Sequence, residues 1–296
     1  MDEETKQNYI KAGRISAEVL EFGKSLIKKG NSILDSTEKI EKKIFELGGK
    51  PAFPVQFSCD QIAAHFCVED DDKTVFDEQV ISLDLGVHIN GAIGDTAYTI
   101  DLSGKYADLV KAAQKALEEA LKIVDVGTEL GQIGKVINDT ISGYGFNPVR
   151  NLSGHGLDLY NIHTKPTIPN FDTGDKTTLK KDMTFAVEPF ATTGSGVVGE
   201  KGLPTVFMMK NRKPVRSPIT REILKQIDTY ENLPFAKRWL TQRFGAKTNF
   251  AIKELTQLEI IHNYPPLVEV NNGIVSQAEH SVLIDGEGEV TILTKL

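Results

Sequence analysis

Four carboxylates, Asp84, Asp95, Glu188 and Glu279, and three histidines, His65, His155 and His163, occupy places where a polar side chain is costly unless it is used. The two aspartates flank Asn90-Gly91, the signature of a two-residue hairpin turn in which both central positions need positive φ. Such a turn pairs Gly86 with Asp95 and Ala97 with Asp84. The aspartates are then diagonal neighbours on one face of the hairpin, with Cβ atoms about 7–8 Å apart. Two carboxylates so placed repel unless cations lie between them. Gly86 and Gly94 are expected to leave room over the hairpin for a pair of ions about 3.5–4 Å apart. The competing reading of this feature alone is a solvated hairpin face with two unrelated aspartates.

Glu188 sits where the apolar run Phe185-Ala-Val187 meets Pro189, and Glu279 lies inside a strand between Ala278 and His280. Buried carboxylates in such places want a cation. His155 and His163 would stand about 26 Å apart on one continuous strand, so they meet only if the residues between them turn. One is then a ligand and the other approaches the substrate. His65, in Ala63-Ala64-His65-Phe66, is out of place on a small-residue stretch unless it is used. His280 points to the face opposite Glu279 and is read as structural, while His88 and His262 receive no role. Together the carboxylates and an imidazole make the hard, oxygen-rich donor set of manganese, iron, cobalt or zinc pairs. The chemistry this suits is metal-assisted hydrolysis.

Other chemistries find less support. Gly194-Ser195-Gly196 lacks the strand-to-helix context of a serine nucleophile, and no glycine-rich segment ends in the Lys-Ser/Thr of a phosphate loop. Cys59 and Cys67 are too few for a disulfide framework and lack the spacing of a zinc ribbon. A net charge of −7 argues against general nucleic-acid binding. The average hides an asymmetry, since about eleven Lys and Arg face about five acids between Met208 and Asn263. No leader and no apolar run of membrane-spanning length is seen, so a cytoplasmic protein is expected.

The elements that must position these residues can be read from periodicity. Helical spacing covers about 5–29, closed by Gly30, and 33–47, with Asn31 or Ser32 as N-cap and Gly48-Gly49 as stop. Strands follow over about 80–100, then helices over 106–124 and 130–141. Beyond Pro148 strands and loops return, including Met183 to Val187 and Ile274 to Ile284. The run from Leu179 to Glu188 faintly echoes Phe76 to Asp84, each a charged turn feeding a strand that delivers a carboxylate. The basic stretch is predicted to be an inserted helical subdomain, 208–263, within a body made of 1–207 and 264–296. Trp239 is expected in the core of that insertion.

Several ordered strings resemble one family, the methionine aminopeptidases of type 2, at archaeal size and without the long charged N-terminal extension. They are Gly48-Gly-Lys-Pro-Ala-Phe-Pro54, Ile62-Ala-Ala-His65, Leu83-Asp-Leu-Gly-Val-His88, Gly94-Asp-Thr-Ala97 and Asn151-Leu-Ser-Gly-His155. Ala186-Val-Glu-Pro-Phe190, Leu233-Pro-Phe235, Arg238-Trp-Leu240 and Tyr264-Pro-Pro266 extend the match over nearly the whole chain.

The resemblance implies an α/β (α+β) pita-bread fold of two pseudo-symmetric halves, with a helical insertion between Glu188 and Glu279. It implies two divalent ions, Co, Mn, Fe or Zn, one chelated by Asp84, both bridged by Asp95 and Glu279, the second completed by His155 and Glu188. The family's reaction is removal of initiator methionine before a small second residue, by a hydroxide bridging the ions, with Glu188 handling the proton. His163 would stabilise the oxyanion and His65 would contact the scissile amide. Phe53, Ile162 and Tyr264 would line the methionine pocket, and the substrate amine would meet the ion held by Asp84. Nascent peptides are the expected partners of a monomer, and the basic insertion fits either ribosome docking or a plain solvated face.

Two positions depart from the family pattern: Ala278 where phenylalanine is usual, expected to loosen packing behind Glu279, and Cys67 where threonine is common. Neither removes a ligand. The rival readings are a proline-directed peptidase of the same fold, whose relatives usually carry a further N-terminal domain, and a binding protein that has lost its metals.

Overall fold

In the computed structural model, which describes residues 1–296, the chain opens with α1 (Glu3–Leu26) and α2 (Ile33–Glu46). The α2 N-cap is Ser32, which accepts from the Asp35 N–H, while Asn31 donates its side-chain amide to the Leu26 carbonyl. Two short strands follow, β1 (Gln56–Cys59) and β2 (Ile62–Ala64). The hairpin of β3 (Val80–Ile89) and β4 (Ala92–Asp101) turns at Asn90 and Gly91, with φ of 49° and 89°. Its register pairs Asp84 with Ala97 and Gly86 with Asp95, as the turn chemistry predicts. Next come α3 (Ala107–Lys122), α4 (Leu130–Gly143), β5 (Ser153–Asp158), β6 (Asn161–Pro169) and β7 (Met183–Val187).

The basic segment follows. β8 (Val206–Met209) and β9 (Ile261–Tyr264) pair antiparallel as a neck, enclosing α5 (Pro218–Asp228), α6 (Lys237–Phe244) and α7 (Lys247–Gln257). The segment is therefore not wholly helical, because a strand pair at its base ties its two ends together. Its helices close on their own core, which includes Phe207, Ile223, Phe235, Leu240 and Leu255. Trp239 lies at the edge of that core, where its indole N–H donates to Glu41 of α2 at 3.0 Å. The chain returns through β10 (Leu267–Glu269) to the long β11 (Val275–Ile284).

One sheet runs β3-β4-β11-β7-β5-β6, each neighbour antiparallel, so the fold is α+β with no parallel crossover in this path. Its middle is the seam between β4 and β11, where Ala97 pairs with Glu279. To one side lie β3 and β4 backed by α1 and α2, to the other β7 and β11 backed by α3 and α4. Side chains alternate along these strands. Ile81, Leu83, Leu85 and Val87 join the core under the first helix pair. Phe185, Val187, Ala278, Val282 and Ile284 join the core under the second. Each of these side chains except that of Ala278 contributes about 1.5–3 kcal/mol by leaving water. The residues between them, Asp84 on β3 and Glu279 on β11, must then emerge on the face away from the helices.

Gly86 and Gly94 do not leave space for ions. A Cβ on Gly86 would stand 2.3 Å from the Phe53 ring, and one on Gly94 would stand 2.5 Å from the Gly13 Cα of α1. Adjacent to Asp95 in the chain, Gly94 faces the helix side, where its missing side chain lets α1 approach the sheet backbone. The room over the hairpin comes instead from loops and from the second half of the sheet.

Candidate metal centre

The five donors expected to hold metal arrive from five different places. Asp84 comes from β3, Asp95 from β4, His155 from β5, Glu188 from the residue after β7, and Glu279 from β11. Ser281, two residues beyond Glu279, accepts the Asp95 N–H at 2.7 Å and donates to the Asp95 carbonyl at 2.8 Å. Thr96 donates its hydroxyl to the Glu279 carbonyl at 3.0 Å. The two central carboxylates are thus locked across the seam. Glu188 is pinned from behind, since the buried Asn170 amide donates to both its carbonyl and that of Leu152, each at 3.1 Å.

Nε2 of His155 lies 3.4 Å from Glu188 Oε1 and 3.8 Å from Asp95 Oδ2. Its Nδ1 faces the Gly156 carbonyl at 3.4 Å, which selects the tautomer with a free lone pair on Nε2. Donor atoms of Asp95, His155 and Glu279 all lie within 4.8 Å of one another. Gln277, on the same face of β11 as Glu279, places its Nε2 3.5 Å from Asp84 Oδ2.

The electrostatics identify what the cluster lacks. Asp84 Oδ1, Asp95 Oδ1 and Glu279 Oε1 are buried without a hydrogen-bond partner. Burial pushes the Asp84 carboxyl up to about 7. Burial, and then the neighbouring carboxylates, hold Asp95, Glu188 and Glu279 well above the usual carboxylate range. His155 is driven the other way, to about 3, chiefly by burial. A cluster of buried carboxylates with orphaned oxygens beside a neutral imidazole costs several kcal/mol per ion unless cations neutralise it. The donor set fits divalent metal: hard carboxylate oxygens plus one imidazole nitrogen.

His163 joins the cluster through a turn. β5 and β6 form a hairpin around Tyr160, whose φ is 55°, and bulges beside Gly156 bend the strand. The His155 and His163 rings therefore stand edge-to-face with centroids 4.5 Å apart. His65 comes from the end of β2 and stands edge-on to Tyr264 at 5.3 Å. Burial holds His65 at about 4 and lowers His163 as well, so both are neutral imidazoles near pH 7.

All five donors, His65, His163, Phe53, Ile162 and Tyr264 border one cavity of about 540 Å³. Its apolar end is built on the cluster of Ala52, Phe53, Ile93, Leu157, Ile162 and Leu233. The basic segment and its neck contribute wall residues, Val206, Pro234 and Tyr264. Three histidines stay outside it. His280 bonds Thr294 through Nδ1 at 2.9 Å, His88 accepts the Gly91 N–H inside the hairpin at 3.2 Å, and exposed His262 stacks its edge on Tyr264. Ala278 packs in the helix-side core, and buried Cys67 donates its N–H to Thr205. Two glutamines escaped the sequence reading, Gln56 and Gln277. The available signal for Gln277 was its place two residues from Glu279, on the same face of a strand, whereas Gln56 offered none, because its pairing with Asp84 appears only in the folded sheet.

The sheet and its donor set define a metallopeptidase scaffold, and the model of metallopeptidase family M24 matches residues 7–211. A methionine aminopeptidase of Archaeoglobus fulgidus is 43% identical over 297 residues, with 100% of both chains covered. The chain belongs to metallopeptidase family M24 and, within it, to the methionine aminopeptidases. The same fold is seen in a thermophilic Arx1, with a TM-score of 0.86, 18% identity, and coverage of 99% of this chain and 91% of that one. It is seen again in a methionine aminopeptidase from Thermotoga maritima, with a TM-score of 0.73, 23% identity, and coverage of 100% and 98%. No helix is long and apolar enough to cross a membrane.

Proposed function

We propose that this chain removes the N-terminal methionine from nascent polypeptides whose second residue is small, with two divalent ions held by Asp84, Asp95, His155, Glu188 and Glu279. One observation carries the reading: five metal-type donors, three of them with an orphaned oxygen, two neutral imidazoles and an apolar end share a single cavity. When bound, the ions supply Lewis acidity and lower the pKa of an attacking water.

The chain's own residues do the rest. Glu188, which borders the cavity beside His155, takes the proton of the attacking water and passes it to the leaving amine. His163 and His65 are neutral near pH 7, so each can present a ring N–H, His163 to the developing oxyanion and His65 to the scissile amide. Phe53, Ile162 and Tyr264 receive the methionine side chain. The substrate's free amine sits beside Asp84, which limits attack to the first peptide bond. The test is to chelate the protein, restore single divalent ions, and compare release from Met-Ala-Ser with cleavage of an Xaa-Pro peptide. Release of proline-linked residues without methionine release would move the reading to a proline-directed peptidase. Ion-independent failure on both would leave a binding protein.

The basic segment, 208–263, is proposed as an inserted subdomain that docks on ribosomal RNA. Lys237 pairs with Glu69 at 3.0 Å and Arg238 is buried on Glu41, so neither is a docking residue. The exposed Lys210, Lys225, Lys247 and Lys253 fall in no ion pair, and their reversal to Glu is the test by ribosome co-sedimentation at several salt concentrations.

A further inference from the structure

His65 is the only residue bordering the cavity whose backbone is left-handed, with φ of 64°. A residue with a Cβ takes that conformation only where its surroundings hold it there. β2 ends at Ala64, which pairs with Leu267 of β10, so the next N–H has no ladder carbonyl to meet. It meets a side chain instead: His65 N–H donates to Gln56 Oε1 at 2.6 Å. Since an N–H must be met by an oxygen, this bond also fixes the orientation of the Gln56 amide.

Gln56 is itself placed by the sheet. It lies on β1 directly across from Asp84 on β3, and antiparallel partners share a face. The Gln56 side chain therefore rises on the carboxylate face, is 5% exposed, and borders the cavity between Asp84 and His65. A one-residue slip of β1 would send it into the helix-side core and release His65.

We propose that Gln56 is a positioning residue for the reaction, its side-chain carbonyl holding the His65 main chain in the turn that aims the imidazole into the cavity. The proposal rests on the reading that His65 contacts the substrate. Gln56→Leu fills the same volume without an acceptor, whereas Gln56→Glu keeps one. In the full-length metal-loaded protein, Gln56→Leu is expected to speed amide hydrogen exchange at His65 about tenfold or more. It is also expected to lower kcat by about 10- to 100-fold with little change in KM. Gln56→Glu restores the amide protection. In a His65→Ala background, Gln56→Leu costs less than about twofold, because the group it positions is gone. Should Gln56→Leu misfold, Gln56→Asn, too short to reach, must show the same split. An equal loss of kcat in both backgrounds, or unchanged His65 exchange in Gln56→Leu, overturns the proposal. A wild-type protein that releases no methionine overturns the functional reading instead, and hydrogen exchange still decides whether Gln56 holds His65.

Discussion

Arg238 of α6 donates from Nη2 to Glu41 Oε1 of α2 at 2.7 Å, and the guanidinium side chain is 1% exposed. The second Glu41 oxygen accepts the Trp239 indole N–H, so the basic segment satisfies a carboxylate that belongs to the first half of the sheet. Lys237 with Glu69 and Gln242 with Glu38 extend the same seam. The cavity wall contributed by Pro234 is thereby held against the donors.

Arg238→Ala is expected to destabilise the protein by about 3–5 kcal/mol, because it strands Glu41 buried and unpaired. Replacing both partners, Arg238→Met with Glu41→Leu, is expected to recover most of that loss. Urea midpoints of the single and double variants check it. A single variant within about 0.5 kcal/mol of wild type would show that the pair holds nothing.

Metal removal is expected to make stability depend on pH with a definite sign. Asp84 is raised from 3.8 to about 7 in the folded chain, and Asp95, Glu188 and Glu279 are raised too. At these four groups the folded metal-free chain binds more protons than the unfolded one, whereas the lowered histidines, His65, His155 and His163 among them, act the opposite way below their ordinary 6.5. Above about pH 6.5 only the carboxylates still count, so stability falls as pH rises through about 7. Ions replace the protons and flatten the curve. Thermal unfolding of chelated and reloaded protein at pH 5.5, 7 and 8.5 decides it, parallel curves being the adverse result.

His155 and His163, although their rings touch, are expected to fail differently. His155→Ala removes a donor that lies 3.4 Å from Glu188, so ion binding measured by calorimetry weakens about 10- to 100-fold or more. His163→Ala keeps the ion content and loses about 10²–10³ in kcat. Loss of ions from His163→Ala would place that ring among the ligands.

Gly94→Ala is expected to cost about 1–3 kcal/mol although alanine suits a strand, because its Cβ would meet the Gly13 backbone of α1. Gly104→Ala, with nothing within 4 Å of its Cβ but a φ of 72°, separates backbone strain from the crowding. A Gly94→Ala protein that unfolds at the wild-type temperature would mean α1 yields freely.

What was legible in the sequence was short-range. Asn90-Gly91 forces a turn whose geometry pairs neighbours on either side, so Asp84 and Asp95 were placed on one face from the amino acids alone. Strict alternation likewise turned His280 away from Glu279. Helix α2 could be bounded from its cap and its glycines. The family strings supplied the remaining donors as an expectation, which no local rule does.

Tertiary structure decided what depends on contacts distant along the chain. Ser281, two residues beyond Glu279, meets Asp95 across a separation of 186 residues, and Asn170 pins Glu188 from another loop. Gly94 looked like space for ions and is instead the bed of α1. Arg238 looked like part of a basic surface and is instead buried on Glu41. Turn and alternation preferences act over a few residues, so they fix where a side chain points within its own element. Which partner it then meets is set only when the sheet closes at the β4–β11 seam and the helices cover one face, leaving the donors on the other.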